Sequence, residues 1–535
     1  MRQPGFRLLF ETFSCFRCQS EGSRPIGRWR GLPLLFLLIS LLLSSMSVQA
    51  ASPVIRFGVA SAPLNLDPRF ASDAVSVRLN RLFYQRLVEM DAASMPRPGV
   101  ADWQVITPTH YRFRLNDKVG EFPDGARLDG YDVEATYRFA LDPANASPLR
   151  TAIAMIERVV ALDGNTIDFH LSRPDPLFPA HLDLDILPAR LLAQKHAFEQ
   201  RPMGSGRFRF LDRPDPGRLL IQRRSDQQPI EIVEVKNPTV RVLKLLRGEI
   251  DLLQNDLSPE LLDYLRSKST VQVTQCAGSN FSYIGFNLQD AAVGDLRVRQ
   301  AIAHAIDRRS IIKYVMRGAA REAETLFPPE HWAGHGDLTA YTYDPAESRR
   351  LLREAGYGDD HPLTLIYKTS SDPFRIRLAT IIQSQLRDVG IGVDLRSYDW
   401  GTFFGDIKAG NFQFYSLSWV GVRTPDSFRY LFASDALPPT GANRGRYRNS
   451  QVDRLIEQAE QADTLEAQAP LYLQLETLLH EDLPYVPLWY EDQYAAMGNG
   501  VKGYHVSADG NYDGLMDLIR TDSLEPAHAT ASIAD

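Results

Sequence analysis

Cysteine is scarce. The 535 residues hold three: Cys15 and Cys18 within the first fifty positions, and Cys276 alone after them, so no disulfide can staple the body of the fold. The Cys15-x-x-Cys18 pair lacks the second pair that a zinc set needs. Basic runs are missing as well, and the net charge is −7; an acidic chain without basic tracts is a poor partner for nucleic acid. No apolar run reaches the roughly twenty residues that span a bilayer as a helix, since the longest, 32–43, stops short. Motifs of catalysis are also absent: there is no Gly-x-Ser-x-Gly elbow, P-loop, Gly-x-Gly-x-x-Gly or His-Glu-x-x-His. His331 and His335 are four apart, but Pro328, Pro329, Gly334 and Gly336 around them favour a loop over a shared helical face, and no third ligand stands near. Cys276 has no histidine close in sequence to activate it and reads as a structural thiol.

What is present is ordinary for a globular protein. Hydrophobic residues make up 44% and charged residues 23%, which excludes the disordered class, and the length divides into about two to four folding units. Arg24, Arg28 and Arg30 precede the apolar run 32–43, and Ser44, Ser45 and Val48-Gln49-Ala50 follow it. That order is expected of a secretory signal peptide over 1–50, cleaved before Ala51, with no cysteine after it for a lipid anchor. The mature protein is therefore expected to be soluble outside the cytoplasm, and more acidic than the whole chain.

Alternation along 54–60 predicts a strand that ends in a loop, 63–68. Over 73–90, Val77, Leu79, Leu82, Phe83, Leu87 and Met90 recur at near-helical spacing and predict a core-facing helix. Between about 100 and 200, strands at 111–115 and 166–171 flank a helix at 129–141 and a proline-rich stretch, 173–179, the pattern of a small α+β unit. Strands at 219–223, 230–235 and 250–253 with a helix near 237–247 suggest an α/β layer. A helix is predicted over 295–317, ending at Gly318, and another starts at the Asp344 cap with Pro345 and Glu347 completing a capping box. Strand 363–368, helix 374–389 and strand 392–397 form a βαβ unit, a parallel-sheet signature. Helices near 450–463 and 467–482 and a strand at 485–490 follow.

Several of these segments, in order, resemble the family 5 solute-binding proteins of ABC importers, the group that includes periplasmic oligopeptide- and dipeptide-binding proteins. The resemblance is carried by Leu66-Asp67-Pro68 with Leu82 to Leu87, by Phe122-Pro123-Asp124-Gly125 with Gly130-Tyr131-Asp132-Val133, and by Gly204-Ser205-Gly206-Arg207-Phe208. Tyr283-Ile284-Gly285-Phe286-Asn287, Asp295 to Ile302, Ala305 to Arg308, Asp344-Pro345 through Tyr357, and Tyr447 through Ile456 extend it. It implies an α/β, bilobed periplasmic-binding-protein fold of the class II, cluster C-like type, with an inserted α+β domain and a two-strand hinge. The first lobe would comprise 51–75, 200–280 and 490–525, the inserted domain 76–199, the second lobe 281–489, and a flexible tail 526–535. The hinge crossings would lie near Asn280 and Tyr490.

The resemblance further implies a periplasmic, non-catalytic and monomeric protein without metal or cofactor, which binds a peptide or peptide-like solute between the lobes and passes it to the importer's permease subunits. Ser72, Asp73 and Ala74 would meet ligand from the first lobe, where a helix N-terminus is the plainer reading of the same residues. In the second lobe, 414–419 matches the strand that runs into the pocket, with Ser418 on it, Gly421 after it and Trp419 as an apolar wall; Tyr283 and Trp400 are further candidates. One departure stands out. Peptide-binding relatives place an aspartate three residues after that tryptophan to hold the ligand's ammonium, whereas Trp419-Val420-Gly421-Val422 puts a valine there. A buried ammonium without a counter-charge costs several kcal/mol, so Asp426 or Asp73 would have to substitute, or Arg423 would favour an anionic or N-blocked solute. A metallophore or haem carrier, a secreted hydrolase and a chaperone-like protein are the alternatives.

Overall fold

The computed structural model describes residues 53–71, 73–91, 93–439 and 441–521; the expected signal peptide, its cleavage point and the tail lie outside them. The described residues form one compact unit. Its strands, in chain order, include β1 (Ile55–Val59), β2 (Ala101–Thr107), β3 (His110–Leu115), β4 (Ile156–Ala161), β5 (Thr166–Leu171), β6 (Phe208–Asp215), β7 (Arg218–Arg223), β8 (Pro229–Glu234), β9 (Leu252–Gln254), β10 (Val271–Phe286), β11 (Ala320–Glu322), β12 (Leu363–Ser370), β13 (Ile391–Tyr398), β14 (Phe414–Trp419) and β15 (Tyr485–Gly498).

An 11-stranded sheet runs in the order β13-β12-β14-β10-β15-β9-β1-β8-β7-β6, with β11 beside β15. Only β10 and β15 belong to both halves of it. They pair antiparallel from Val271↔Gly498 to Cys276↔Gln493, lose register, and resume at Asn280↔Glu491. The break is where the backbones crowd: a Cβ on Gly278 would stand 2.0 Å from the Glu491 carbonyl oxygen, so the approach is possible only for glycine.

The packing divides at the same place. Ala495 and Met497 of β15 join a core with Phe57, Ile232 and Tyr504, whereas Leu488 and Trp489 join one with Ile302, Leu365 and Ile391. Between them, Glu491, Asp492 and Gln493 are bound by polar partners: Gln275 donates to Asp492 at 2.6 Å and Asn255 to Gln493 at 2.6 Å. Each fully buried large apolar side chain stabilises its own body by about 1.5–3 kcal/mol, and among the described residues no buried apolar cluster spans this polar strip. The chain is thus an α/β protein of two lobes joined by two strands. A separate four-stranded sheet, β2-β3-β5-β4, with the helix Gly130–Leu141 over it and a core of Tyr111, Phe113, Tyr137 and Phe169, forms the insert.

Local chemistry explains where elements end. The helix predicted over 73–90 stops at Phe83, because the backbone N–H of Gly206 donates to the Phe83 carbonyl at 2.7 Å and takes the place of a further turn. The glycines of Gly204-Ser205-Gly206 permit this, since a Cβ at Gly204 would lie 2.0 Å from that same oxygen. Leu87 is buried in the insert's core instead, and Val77 is exposed. The helix predicted over 295–317 breaks after Ala305, because the Asp307 carboxylate accepts the Ser310 N–H at 2.9 Å and starts a new turn. At Asp344 the cap forms, but Glu347 turns to Arg350 rather than closing the box. The complete box is at Asp129 and Asp132, where each carboxylate accepts the other's N–H. The 363–397 region forms the parallel pair β12 and β13 across the helix Pro373–Asp388.

Candidate functional site

The second lobe offers the cleft an unfinished strand. On one side β14 pairs with β10 along its whole length, from Phe286↔Phe414 to Phe281↔Trp419. On the other it meets β12 only at Tyr367↔Phe414 and Lys368↔Tyr415, after which the two diverge. The edge from Ser416 to Trp419 therefore lacks a strand partner on that side. A cavity of about 220 Å³ fills the wedge, with Thr369 and Ser370 on one flank, Ser416, Leu417 and Ser418 on the other, and Trp400 at its rim. Arg375 also lines it and donates to Glu491 at 2.6 and 3.1 Å, while Ser282 donates to Glu491 at 2.8 Å. Burial opposes ionisation of Glu491, but the Arg375 charge and these hydrogen bonds hold its carboxyl below the usual range.

Val420 lines this cavity and a larger one, of about 440 Å³, which has the second lobe on one side and the first lobe and insert on the other. Its lining is charged. Arg81 pairs with Asp513 at 2.9 Å and with Glu89 at 2.5 Å, Arg86 with Asp185 at 2.7 Å, and Arg423 with Asp509 at 2.5 Å. Two charges are left over. Arg78 lies over the Tyr512 ring at 5.6 Å with no salt bridge, and Asp183 has neither a salt bridge nor a hydrogen bond among the described residues. Asp183 is exposed and its charge acts on Arg86, whose salt bridge goes to Asp185, so one cation and one anion without a salt bridge face the same space.

The residues singled out from sequence fall into distinct groups. Ser72 lies outside the described residues. Asp73 is occupied as a helix cap, accepting the Ser76 N–H at 2.9 Å, and Ala74 opens the helix Ala74–Phe83 and lines the larger cavity. Ser418 faces the smaller cavity and shares a hydrogen bond of 2.7 Å with Ser282; Trp400, 58% exposed, stacks on Phe404 at 5.3 Å. Gly421 and Arg423 line the larger cavity, but the Arg423 charge is already matched by Asp509 across the cleft.

Trp419 and Tyr283 lie inside the second lobe instead of along either cavity. Successive residues of a strand face opposite ways, so with Ser418 toward the cleft the Trp419 ring turns back, 6.2 Å from Tyr283 and beneath Arg444 at 4.3 Å. Tyr283 is fully buried, stacked on Tyr485 at 4.0 Å. Val422 packs against the same core. Asp426 stands before the helix Ser427–Phe432, facing the insert. Burial disfavours protonation of His181 on that insert, but Asp175, 3.4 Å away, and Asp426 outweigh it and raise the imidazole above 6.5. His331 sits in a loop, but a buried rather than a solvated one, stacked on Phe327 at 4.2 Å with Nε2 2.8 Å from the Arg423 carbonyl oxygen.

Sequence reading missed Asp183 and Arg78, which carry no motif and become notable only because their neighbours are paired. It also missed His110, Asp168 and His170, which pairing of β3 with β5 brings together from distant positions. Among the described residues no helix is long and apolar enough to cross a membrane.

The family model for bacterial extracellular solute-binding proteins, family 5, matches residues 96–437. Heme-binding protein A of Haemophilus influenzae is 28% identical over 85% of this chain and 90% of its own length. The dipeptide-binding protein of Escherichia coli is 25% identical over 90% and 97% respectively. Among solved structures, the periplasmic binding protein DppA of Helicobacter pylori in complex with the peptide STSA superposes with a TM-score of 0.74 at 25% identity, covering 88% of this chain and 98% of that one.

Proposed function

The chain belongs to the bacterial extracellular solute-binding proteins, family 5, and from that premise we propose that it captures a peptide or peptide-like solute between its lobes and delivers it to the permease of an ABC importer. The observation that carries this reading is the unpartnered Ser416–Trp419 edge beside a cavity. An extended peptide satisfies such an edge with its own main chain, as an added strand, while side-chain pockets such as the one beside Trp400 read its residues. Residues 51–75, 200–280 and 490–525 would act as one jaw with the 76–199 insert on it, and 281–489 as the other. The protein would work as a periplasmic monomer after loss of the signal peptide, without catalysis or cofactor.

The ligand's charges can be met although Val422 offers none. Asp183 is suited to an ammonium and Arg78 to a carboxylate, the latter with a planar fork that can bind two oxygens. Asp73 and Arg423, engaged elsewhere, are not needed. This favours free peptides over the N-blocked or anionic solutes that Val422 alone would suggest. Of the side chains that ligate haem iron, only Tyr367 lines either cavity, and it is fully buried.

Calorimetric titration with a panel of di- to tetrapeptides, each in free, N-acetylated and C-amidated form, tests both parts. Free peptides should bind and each blocked form should bind at least tenfold more weakly. Binding by none of the panel would remove the peptide reading, while tighter binding of the acetylated forms would remove only the part given to Asp183.

A further inference from the structure

The insert carries a cluster of side chains that the cleft does not use. In the antiparallel pair β3 and β5, His110 stands opposite His170 and Arg112 opposite Asp168. Alternation along the strands sends Tyr111, Phe113, Ile167 and Phe169 into the insert's core and these four to the other face of the sheet. The two imidazoles stack at 4.3 Å, so one ring must turn on its side-chain torsions before both in-plane lone pairs can reach one ion. His110 Nε2 lies 3.0 Å from Asp168 Oδ2, yet this buried nitrogen makes no aligned hydrogen bond. Nitrogen and oxygen atoms bound tetrahedrally to one metal ion about 2.0–2.2 Å away stand about 3.3–3.6 Å apart, so a small outward shift of this pair would admit an ion. One nitrogen from each histidine and one Asp168 oxygen lie within 4.8 Å of one another. Both histidines are half-buried, which leaves a way in from solvent.

We infer that His110, Asp168 and His170 form a binding site for a late first-row divalent cation of the zinc type, on the insert and separate from the interlobe cleft. Two imidazoles and a carboxylate suit zinc, cobalt or nickel rather than calcium or magnesium, which take oxygen ligands. Arg112 acts as a positioning residue: its Nε and Nη2 donate to Asp168 at 2.7 Å each, one to each oxygen, and fix the carboxylate plane. Such outer partners are a regular part of metal sites. A bound ion would tie β3 to β5 and leave one coordination position for water.

The test is a calorimetric titration of Zn²⁺ into the untagged full chain carrying Cys15→Ser and Cys18→Ser, so that no presequence thiolate competes. One ion per chain should bind. Because changes to outer partners cost about 10–100-fold in affinity, His110→Gln and His170→Gln should each weaken binding by at least about 100-fold, and Arg112→Ala by roughly 10-fold. With Co²⁺ as the probe, the visible absorption of the bound ion should change in Arg112→Ala, which a merely structural arginine would not cause. Circular dichroism confirms that each variant is folded, and the two histidine variants, at half-buried positions, substitute for Asp168 variants that could unfold. Absence of Zn²⁺ binding by the parent chain, or equal binding by both folded histidine variants, overturns the site.

Discussion

The two walls of the cleft meet a ligand by different means. The second lobe presents backbone, the edge of β14, with Trp400, Leu417 and Val420 beside it. The first lobe and insert present Arg78, Arg81, Arg86, Asp183, Asp185 and Asp509. A backbone edge pairs with any extended chain, whatever its sequence, because every residue offers the same groups. Fixed charges do the opposite and select for where a ligand carries its own. Tolerance and discrimination are thus separated onto two bodies, and removing one should leave the other measurable.

The largest effect should come from the charged wall. Asp183→Asn is expected to weaken free peptides by about 1.5–3 kcal/mol, the range for a hydrogen bond to a charged group, since Asp183 is exposed before a ligand covers it, and to leave N-acetylated peptides nearly unchanged; calorimetry with both forms checks this. Trp400→Ala, on the apolar wall, should cost free and blocked peptides alike about 0.5–1.5 kcal/mol. Because Trp400 is largely exposed, the melting temperature of the unliganded protein should stay within error. Arg423→Ala removes an ion pair that bridges the walls and should shift the open–closed balance by about 0.5 kcal/mol, seen as a larger radius of gyration in small-angle scattering without ligand. The smallest effect concerns His181, whose pKa in the folded state is raised by Asp175 and Asp426. Its contribution is complete below pH 6.5 and is lost as pH rises through the higher folded value. Thermal melts between pH 5.5 and 8 should therefore show the wild type losing stability relative to His181→Gln as pH increases.

The backbone wall was the more legible of the two. Strand 414–419 is visible in the sequence as a run of aromatic and small residues, and its place near the pocket followed from the resemblance. Which of its side chains reach the cleft was not visible, because a period of two must be anchored at one residue, and the anchor is the pairing of Phe281 with Trp419. Trp419 accordingly faces the core and Ser418 the cavity. The absence of an acid at 422 was legible too, but the replacement proposed for it was not. Asp183 looks like any surface aspartate until Arg86 is seen to be held by Asp185 and Arg423 by Asp509. Helix ends depended on single contacts, Gly206 against Phe83 and Asp307 on Ser310, of which only the second is local in sequence.

The polar strip Glu491-Asp492-Gln493 has a consequence for how such a protein can change. Since the apolar cores stop on either side of it, opening and closing need not repack either core, and a substitution that retunes closure need not weaken the fold. Grip and solidity become separately adjustable quantities: a lineage can exchange one cargo for another by altering cleft residues while both jaws keep the stability they had.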